Sequence, residues 1–130
     1  MRKYLLFFVL SSTFLFSQVT LKITSIPTNT PTAATIYVAG SFNGWNPSST
    51  PMVSDGNGNF VYTVPEGSGI AEYKFTRGSW NTVEGNATGN YLPNRTFTFS
   101  GTAQTLNLTI QSWEDLGAGN PSTAASNVHI

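Results

Sequence analysis

The 130-residue sequence contains no cysteine, and only 9% of its residues are charged, with a formal net charge of zero. Without cysteine, the chain has no disulfide framework, no thiolate metal site and no cysteine nucleophile. Soluble proteins usually carry roughly a quarter charged residues, and proteins that bind nucleic acid or anionic membranes need a basic surface. The composition therefore argues against nucleic acid and membrane as partners. Its many Thr, Ser, Asn and Gly residues are typical of an extracellular module.

The chain also lacks the residue sets that common hydrolytic mechanisms require. Hydrolysis by general acid and base needs two carboxylates across a cleft, but the six acidic residues are scattered, apart from Glu114 and Asp115. The only histidine, His129, lies in the tail, and the GSG at 67–69 lacks the pattern of a nucleophile elbow. We therefore predict that the chain is not an enzyme on its own and needs no cofactor.

One segment has the spacing of a calcium-binding loop. DGNGNFVYTVPE, residues 55–66, places Asp55, Asn57, Asn59 and Glu66 at positions one, three, five and twelve. However, position six is Phe60, where such a loop needs glycine for its sharp turn, and no helices flank it. The same residues fit a hairpin turn that leads into an alternating strand. We therefore predict a turn and no metal site.

The first residues have the pattern of a secretory signal. Met1, Arg2 and Lys3 form a basic start, YLLFFVLSSTFLF follows as an apolar run, and Ser17 offers a small residue for cleavage. The run is too short for a typical membrane span. Residues 1–17 are predicted to be a signal peptide, which places the protein outside the cell or in a periplasm. The alternative is that these residues form a buried first strand.

Short segments with alternating apolar and polar residues dominate the rest of the chain, and helix signals are almost absent. Such a series of strands separated by Gly, Pro and Asn indicates an all-β sandwich of about seven strands. Residues 81–94 lack this alternation and predict a long loop with room for one short strand. The predicted strands are 19–26, 35–42, 59–65, 70–76, 96–100 and 104–110.

The composition changes after Trp113. Residues 114–130 are rich in Gly, Asn, Pro, Ser and Thr, which is typical of a linker. The final NVHI resembles the start of another strand. The predicted domain is therefore 18–113, and residues 114–130 are predicted to be a linker with the start of a truncated following domain.

Two tryptophans lie just beyond strand ends. Trp45 occurs among turn-forming residues in AGSFNGWNPSS, and Trp80 follows the strand 70–76 through RGS. The alternation places Lys74 opposite Tyr73 and Phe75, so its amine is expected to reach solvent. Exposed indoles beside an amine suit sugar recognition, because the C–H face of a pyranose stacks on an aromatic plane. From residue types alone, it is equally possible that both indoles cap the ends of the core.

Three motifs, in this order, resemble those of the starch-binding carbohydrate-binding modules and the glycogen-binding domain of the AMP-activated kinase β subunit. They are IYVAGSFNGWNP (36–47), VPEGSGIAEYKF (64–75) and PNRTF (93–97). The resemblance implies an immunoglobulin-like antiparallel β-sandwich that binds α-1,4-linked glucans such as starch or glycogen. Within it, Trp45 matches the first stacking tryptophan and Lys74 matches the sugar-contacting lysine.

The resemblance leaves two positions for the second stacking residue. Starch-binding members carry their second tryptophan where this chain has Gly85, and kinase-type members carry it in a turn close to Trp80. We predict Trp80 as the second stacking residue and Asn94 as a partner for sugar hydroxyls. The predicted function is a secreted, non-catalytic module for α-glucan, with a linked hydrolase domain as a possible partner. The alternative is a structural or interaction domain of a secreted esterase or amylolytic hydrolase that no longer binds sugar.

Overall fold

The computed structural model describes residues 18–123. The predicted signal peptide (1–17) and the NVHI segment lie outside these residues and remain predictions. Within the described part of the chain, no helix combines the length and the apolar character that crossing a membrane requires.

The described residues form eleven strands and one turn of 3₁₀ helix, so the prediction of an all-β sandwich is confirmed. Five of the strands are only two residues long. In chain order the strands are β1 Val19–Ile26, β2 Tyr37–Gly40, β3 Val53–Ser54, β4 Phe60–Val64, β5 Ile70–Thr76, β6 Glu84–Gly85, β7 Arg95–Thr98, β8 Gln104–Thr109, β9 Ser112–Trp113, β10 Gly117–Ala118 and β11 Ser122–Thr123, and the 3₁₀ turn is Trp80–Thr82.

The larger sheet is built around β1. Strands β11, β1, β4 and β3 lie in this order, and β8 pairs with β1 as well. The pairing of β1 with β8 is parallel, whereas the other strand pairs among the described residues are antiparallel. β3 and β4 form a hairpin around residues 55–59, which confirms the predicted turn there.

The second sheet has the order β2–β5–β7, with β5 in the centre. A small third sheet, β6–β9–β10, continues from it, and an isolated bridge between Thr76 and Val83 connects the two. Ala71, Tyr73 and Phe75 of β5 point into the core that fills the space between the sheets. Because side chains alternate along a strand, Glu72, Lys74 and Thr76 point to the opposite, outer face of β5.

The core is apolar and follows the predicted alternation. Val19, Leu21 and Ile23 of β1 are fully buried, as the period of two along this strand requires. Aromatic rings complete the packing, for example those of Tyr73 in β5 and Phe97 in β7, whose centroids are 5.6 Å apart. Burial of these side chains supplies most of the stabilisation that a small sandwich without disulfides can obtain.

The sandwich extends past the boundary that was predicted at Trp113. β10 pairs with β9, and β11 pairs with the end of β1 at Ser25 and Ile26. Trp113 itself is fully buried, and its Nε1 donates a hydrogen bond of 2.9 Å to Oγ1 of Thr30. Residues up to 123 therefore contribute strands to the fold despite their linker-like composition.

Candidate functional site

The outer face of β5 brings the four predicted site residues into one region. Lys74 lies on this face, and Glu72, two residues earlier, accepts a hydrogen bond from the Asn94 side chain. Two residues later, Oγ1 of Thr76 donates to the carbonyl of Pro47, in the segment that follows Trp45. The loop after β2 and the loop before β7 thus border the same strand from its two sides.

The loop after β2 holds Trp45 in an unusual backbone conformation. Gly44 and Trp45 have φ values of 69° and 59°, in the left-handed region, which costs a residue with a side chain about 1–2 kcal/mol. The Trp45 N–H donates to the carbonyl of Gly40 at 2.9 Å. The side-chain amide of Asn43 fixes the loop further by bonding to four residues, namely Val38, Gly40, Asn46 and Thr50.

Trp80 is displayed by a tight turn after β5. The Arg77 N–H donates to the carbonyl of Thr82 at 3.1 Å, which closes the turn around the 3₁₀ segment. The Arg77 guanidinium pairs with Asp115 and lies 5.1 Å from the ring of the buried Trp113. This contact with the third sheet fixes the base of the turn, while the Trp80 side chain remains 44% exposed.

Trp45 and Trp80, which we call the indole pair, lie side by side. Their ring centroids are 6.3 Å apart and their planes are inclined by 42°. Neither indole belongs to the core cluster or to the half-buried side chains that pack against it. The alternative that the two indoles cap the core is therefore not what the structure shows.

Lys74 is buried, contrary to the prediction that its amine reaches solvent. The residue is only 6% exposed, and its Nζ donates to the carbonyl of Leu92. Nζ also lies 4.6 Å from the centroid of the Tyr91 ring, in a cation–π contact. The loop 86–94 covers the outer face of β5 at this point, and alternation along the strand alone could not reveal that cover.

Asn94 remains exposed and is partly engaged by its own protein. Its Nδ2 donates to Oε1 of Glu72 at 3.0 Å. The other Glu72 oxygen and the Asn94 carbonyl oxygen can accept hydrogen bonds from a ligand hydroxyl. Glu72, which the sequence analysis did not single out among the scattered acidic residues, therefore joins the candidate site.

Gly85, the other candidate position for a second tryptophan, has no room for a side chain. It is buried in β6, and an added Cβ would lie 2.7 Å from Oγ of Ser112 and 2.8 Å from the carbonyl oxygen of Asn90. The residue that accompanies Trp45 in this chain is therefore Trp80.

A buried ion pair between Glu84 and Arg95 lies next to the candidate site. Glu84 is 0% exposed and accepts hydrogen bonds from the Phe75 N–H at 3.0 Å and from Nε and Nη2 of Arg95 at 2.9 and 2.7 Å. Burial opposes the charge of Arg95, but the hydrogen bonds and negative charge of Glu84 outweigh it and raise the pKa of Arg95. The pair fixes Arg95 directly beside Asn94. Sequence analysis missed it, because the buried position of Glu84 has no signal in the alternation pattern.

In the segment with calcium-loop spacing, residues 55–66, the first residues hydrogen-bond to one another. The Asp55 carboxylate accepts bonds from the N–H groups of Asn57 and Asn59 and from the Asn59 amide. The Asn59 side chain and these N–H groups lower the pKa of Asp55. Among residues 18–123, no cluster of three or more His, Cys, Asp or Glu side chains is arranged to hold a metal ion.

Three curated proteins contain segments similar to this chain. An α-amylase of Niallia circulans is 44% identical over 95 residues, which cover 70% of this chain and 7% of the enzyme. An amylopullulanase of Thermoanaerobacter thermohydrosulfuricus is 36% identical over 106 residues, covering 76% of this chain and 7% of that protein. An amylopullulanase of Thermoanaerobacterium thermosulfurigenes is 35% identical over 100 residues, covering 71% and 5%. The chain thus spans only a small part of these relatives.

No protein-family model matches the chain. Among solved structures, the glycoside hydrolase family 15 glucoamylase from Hypocrea jecorina aligns with a TM-score of 0.49 at 23% sequence identity. That alignment covers 75% of this chain and 17% of the glucoamylase.

Proposed function

We propose that this chain is a non-catalytic α-glucan-binding module of an amylolytic enzyme, and that the protein is secreted. The observation that carries the proposal is the indole pair, two tryptophans brought together outside the core with centroids 6.3 Å apart. Similarity to roughly 100-residue segments of an α-amylase and two amylopullulanases supports glucan as the ligand and a hydrolase as the linked domain.

The inclination of the two rings favours a curved polysaccharide. In an α-1,4-linked glucan, successive sugar faces turn relative to one another, whereas a β-1,4-linked glucan forms a flat ribbon. Rings inclined by 42° can each lie against one sugar of a curved chain, but they cannot both lie flat against a ribbon. Stacking removes the apolar C–H face of each sugar from water, which is the favourable term in such contacts.

The polar residues of the site act in different ways in this proposal. Glu72 and Asn94 bond to sugar hydroxyls at the exposed end of the outer face of β5. Lys74 acts mainly by holding Leu92 and Tyr91 of the loop 86–94 in place, because its Nζ is already bonded to the protein. Binding brings a linked active site close to its polysaccharide, which raises the effective substrate concentration without any chemistry in the module.

Affinity electrophoresis tests this function. The purified protein is run in native gels with and without soluble starch, beside the variants Trp45→Ala and Trp80→Ala. We expect starch to retard the wild type and each variant to lose about tenfold in affinity or more, equivalent to about 1.4 kcal/mol. Val53→Ala is the matched control, because Val53 is an exposed apolar side chain on β3, away from the indole pair, and should leave retardation unchanged.

A gel cast with a soluble cellulose derivative completes the experiment. Retardation there equal to that in starch would contradict the argument from the ring inclination. Absence of retardation in starch, or equal retardation of the wild type and a double variant that combines Trp45→Ala with Trp80→Ala, would overturn the proposed function. The chain would then be better explained as a structural domain of the longer enzyme.

A further inference from the structure

Tyr91 is an exposed aromatic residue next to the proposed site that the sequence did not single out. It is 67% exposed, compared with 44% for Trp80. It lies in the loop 86–94, between the buried strand β6 and the exposed Asn94.

The loop that carries Tyr91 is internally bonded and well defined. Oδ1 of Asn86 accepts hydrogen bonds from the N–H groups of Thr88 and Asn90 at 3.0 and 2.9 Å. Nδ2 of the same residue donates to the Tyr91 carbonyl at 3.2 Å, and the Asn86 N–H donates to the Asn90 carbonyl at 2.8 Å. The backbone at Tyr91 is thus held in place before any ligand arrives, which limits the entropy that binding must cost.

The orientation of the Tyr91 ring is fixed as well. Nζ of Lys74 lies 4.6 Å from the ring centroid, so one face of the ring is turned toward the buried ammonium group. The exposed fraction of 67% leaves the opposite face open to solvent. An open aromatic face held by a buried cation is suited to stacking against the apolar face of a sugar.

The position of Lys74 on β5 places this ring between the two parts of the proposed site. Two residues after Lys74 on β5 is Thr76, whose hydroxyl bonds to the Pro47 carbonyl beyond Trp45. Two residues before Lys74 is Glu72, which accepts a hydrogen bond from Asn94. Two residues along a strand span about 7 Å. A chain that leaves the indole pair along the outer face of β5 therefore passes Tyr91 before it reaches Asn94.

We propose that Tyr91 forms an additional sugar-binding position that extends the indole pair, so that the module prefers α-glucan chains longer than a trisaccharide. This inference rests on the proposed function and specifies the length and the direction of the bound chain. The bound chain runs from Trp45 and Trp80 across Tyr91 to Glu72 and Asn94.

Titration calorimetry with maltotriose and maltoheptaose tests the proposal on the wild type, Tyr91→Ala and Tyr91→Phe. The wild type should bind maltoheptaose more tightly than maltotriose. Tyr91→Ala should lose about tenfold in affinity for maltoheptaose and less than about twofold for maltotriose. Tyr91→Phe keeps the ring and should retain wild-type affinity for both. Thermal unfolding of each variant confirms that it is folded.

The outcomes separate the two proposals. If the wild type binds neither oligosaccharide nor starch, the proposed function fails. If the wild type binds both but Tyr91→Ala binds maltoheptaose as tightly as the wild type, the additional position is wrong and the indole pair alone is the site. An equal loss for both oligosaccharides would also overturn it, because Tyr91 would then act on the indole pair and not on a further sugar.

Discussion

Replacing Asn43 by alanine should weaken both folding and glucan binding, although Asn43 itself need not touch the ligand. Its amide is bonded at 3.0 Å to the Gly40 N–H, the Val38 carbonyl and the Thr50 hydroxyl, with two longer bonds to Asn46. At about 1 kcal/mol net for a hydrogen bond, and less for the exposed ones, we expect Asn43→Ala to lower the free energy of unfolding by about 2–3 kcal/mol.

The effect on binding follows from the backbone of Trp45. Its φ of 59° costs about 1–2 kcal/mol in a residue other than glycine, and the bonds of Asn43 stabilise the loop against relaxation. Without them, the conformation that displays the indole becomes a minority, and the apparent affinity falls by the same fraction. We expect about a tenfold weaker retardation in starch gels.

Urea unfolding and starch-gel mobility measure the two effects separately. Asn43→Asp keeps the two acceptor bonds and should fall between the wild type and Asn43→Ala. Asn57→Ala, an exposed asparagine in the β3–β4 turn, is the matched control and should change the unfolding free energy by less than about 0.5 kcal/mol. If Asn43→Ala is destabilised but binds starch like the wild type, the loop does not depend on this amide to display Trp45, and the reasoning is refuted.

Two further predictions concern the buried groups beneath the site. Glu84→Leu should lower the free energy of unfolding by about 3–5 kcal/mol, because Arg95 then remains as a buried charge without its partner. Urea unfolding of the double variant with Arg95→Met should show that part of this loss is recovered. A double variant no more stable than Glu84→Leu would contradict the explanation. Burial raises the pKa of Tyr73 to about 12, so the folded state favours the neutral phenol. The stability of the fold is therefore unaffected by the ionisation of this group below pH 10, the ordinary pKa of tyrosine, and falls as the pH rises from 10 toward 12. Tyr73→Phe should therefore reduce the alkaline loss of stability by roughly 3 kcal/mol, and identical curves of unfolding free energy against pH for the variant and the wild type would show that Tyr73 is not its source.

The strands that carry a strong period of two could be predicted from the sequence. β1 and β5 have the predicted bounds, because most of their apolar residues, Val19, Leu21 and Ile23 in β1 and Ala71, Tyr73 and Phe75 in β5, alternate and face a single core. The two-residue strands β9, β10 and β11 could not be predicted, since a pair of residues has no period. β9 and β11 owe their conformation to pairing with strands distant in sequence, β6 and β1 respectively, and β10 pairs in turn with β9.

In the candidate site too, features that depend on neighbouring residues could be predicted, whereas features that depend on distant segments could not. The positions of Trp45 and Trp80 just beyond strand ends left open whether the indoles are exposed or cap the core, and the structure brings them together outside the core cluster. The burial of Lys74 could not be predicted from its place on β5, because the loop that covers it comes from residues 86–94. Trp80 was chosen over Gly85 from the sequence, but the reason why position 85 has no room for a side chain, its packing against Ser112, could not be predicted.

The parallel pairing of β1 with β8 has a consequence for how the chain reaches its fold. Val19 to Ile23 pair with Gln104 to Leu108, so β1 cannot complete its pairing until β8, which follows much later in the sequence, has been synthesised. Contacts between residues so far apart in sequence slow folding, because a long loop must close before they form. Until β8 emerges from the ribosome, one side of β1 presents an unpaired edge, which is where association between nascent chains is most to be expected. A shortened version that ends before Gln104 would keep that edge permanently.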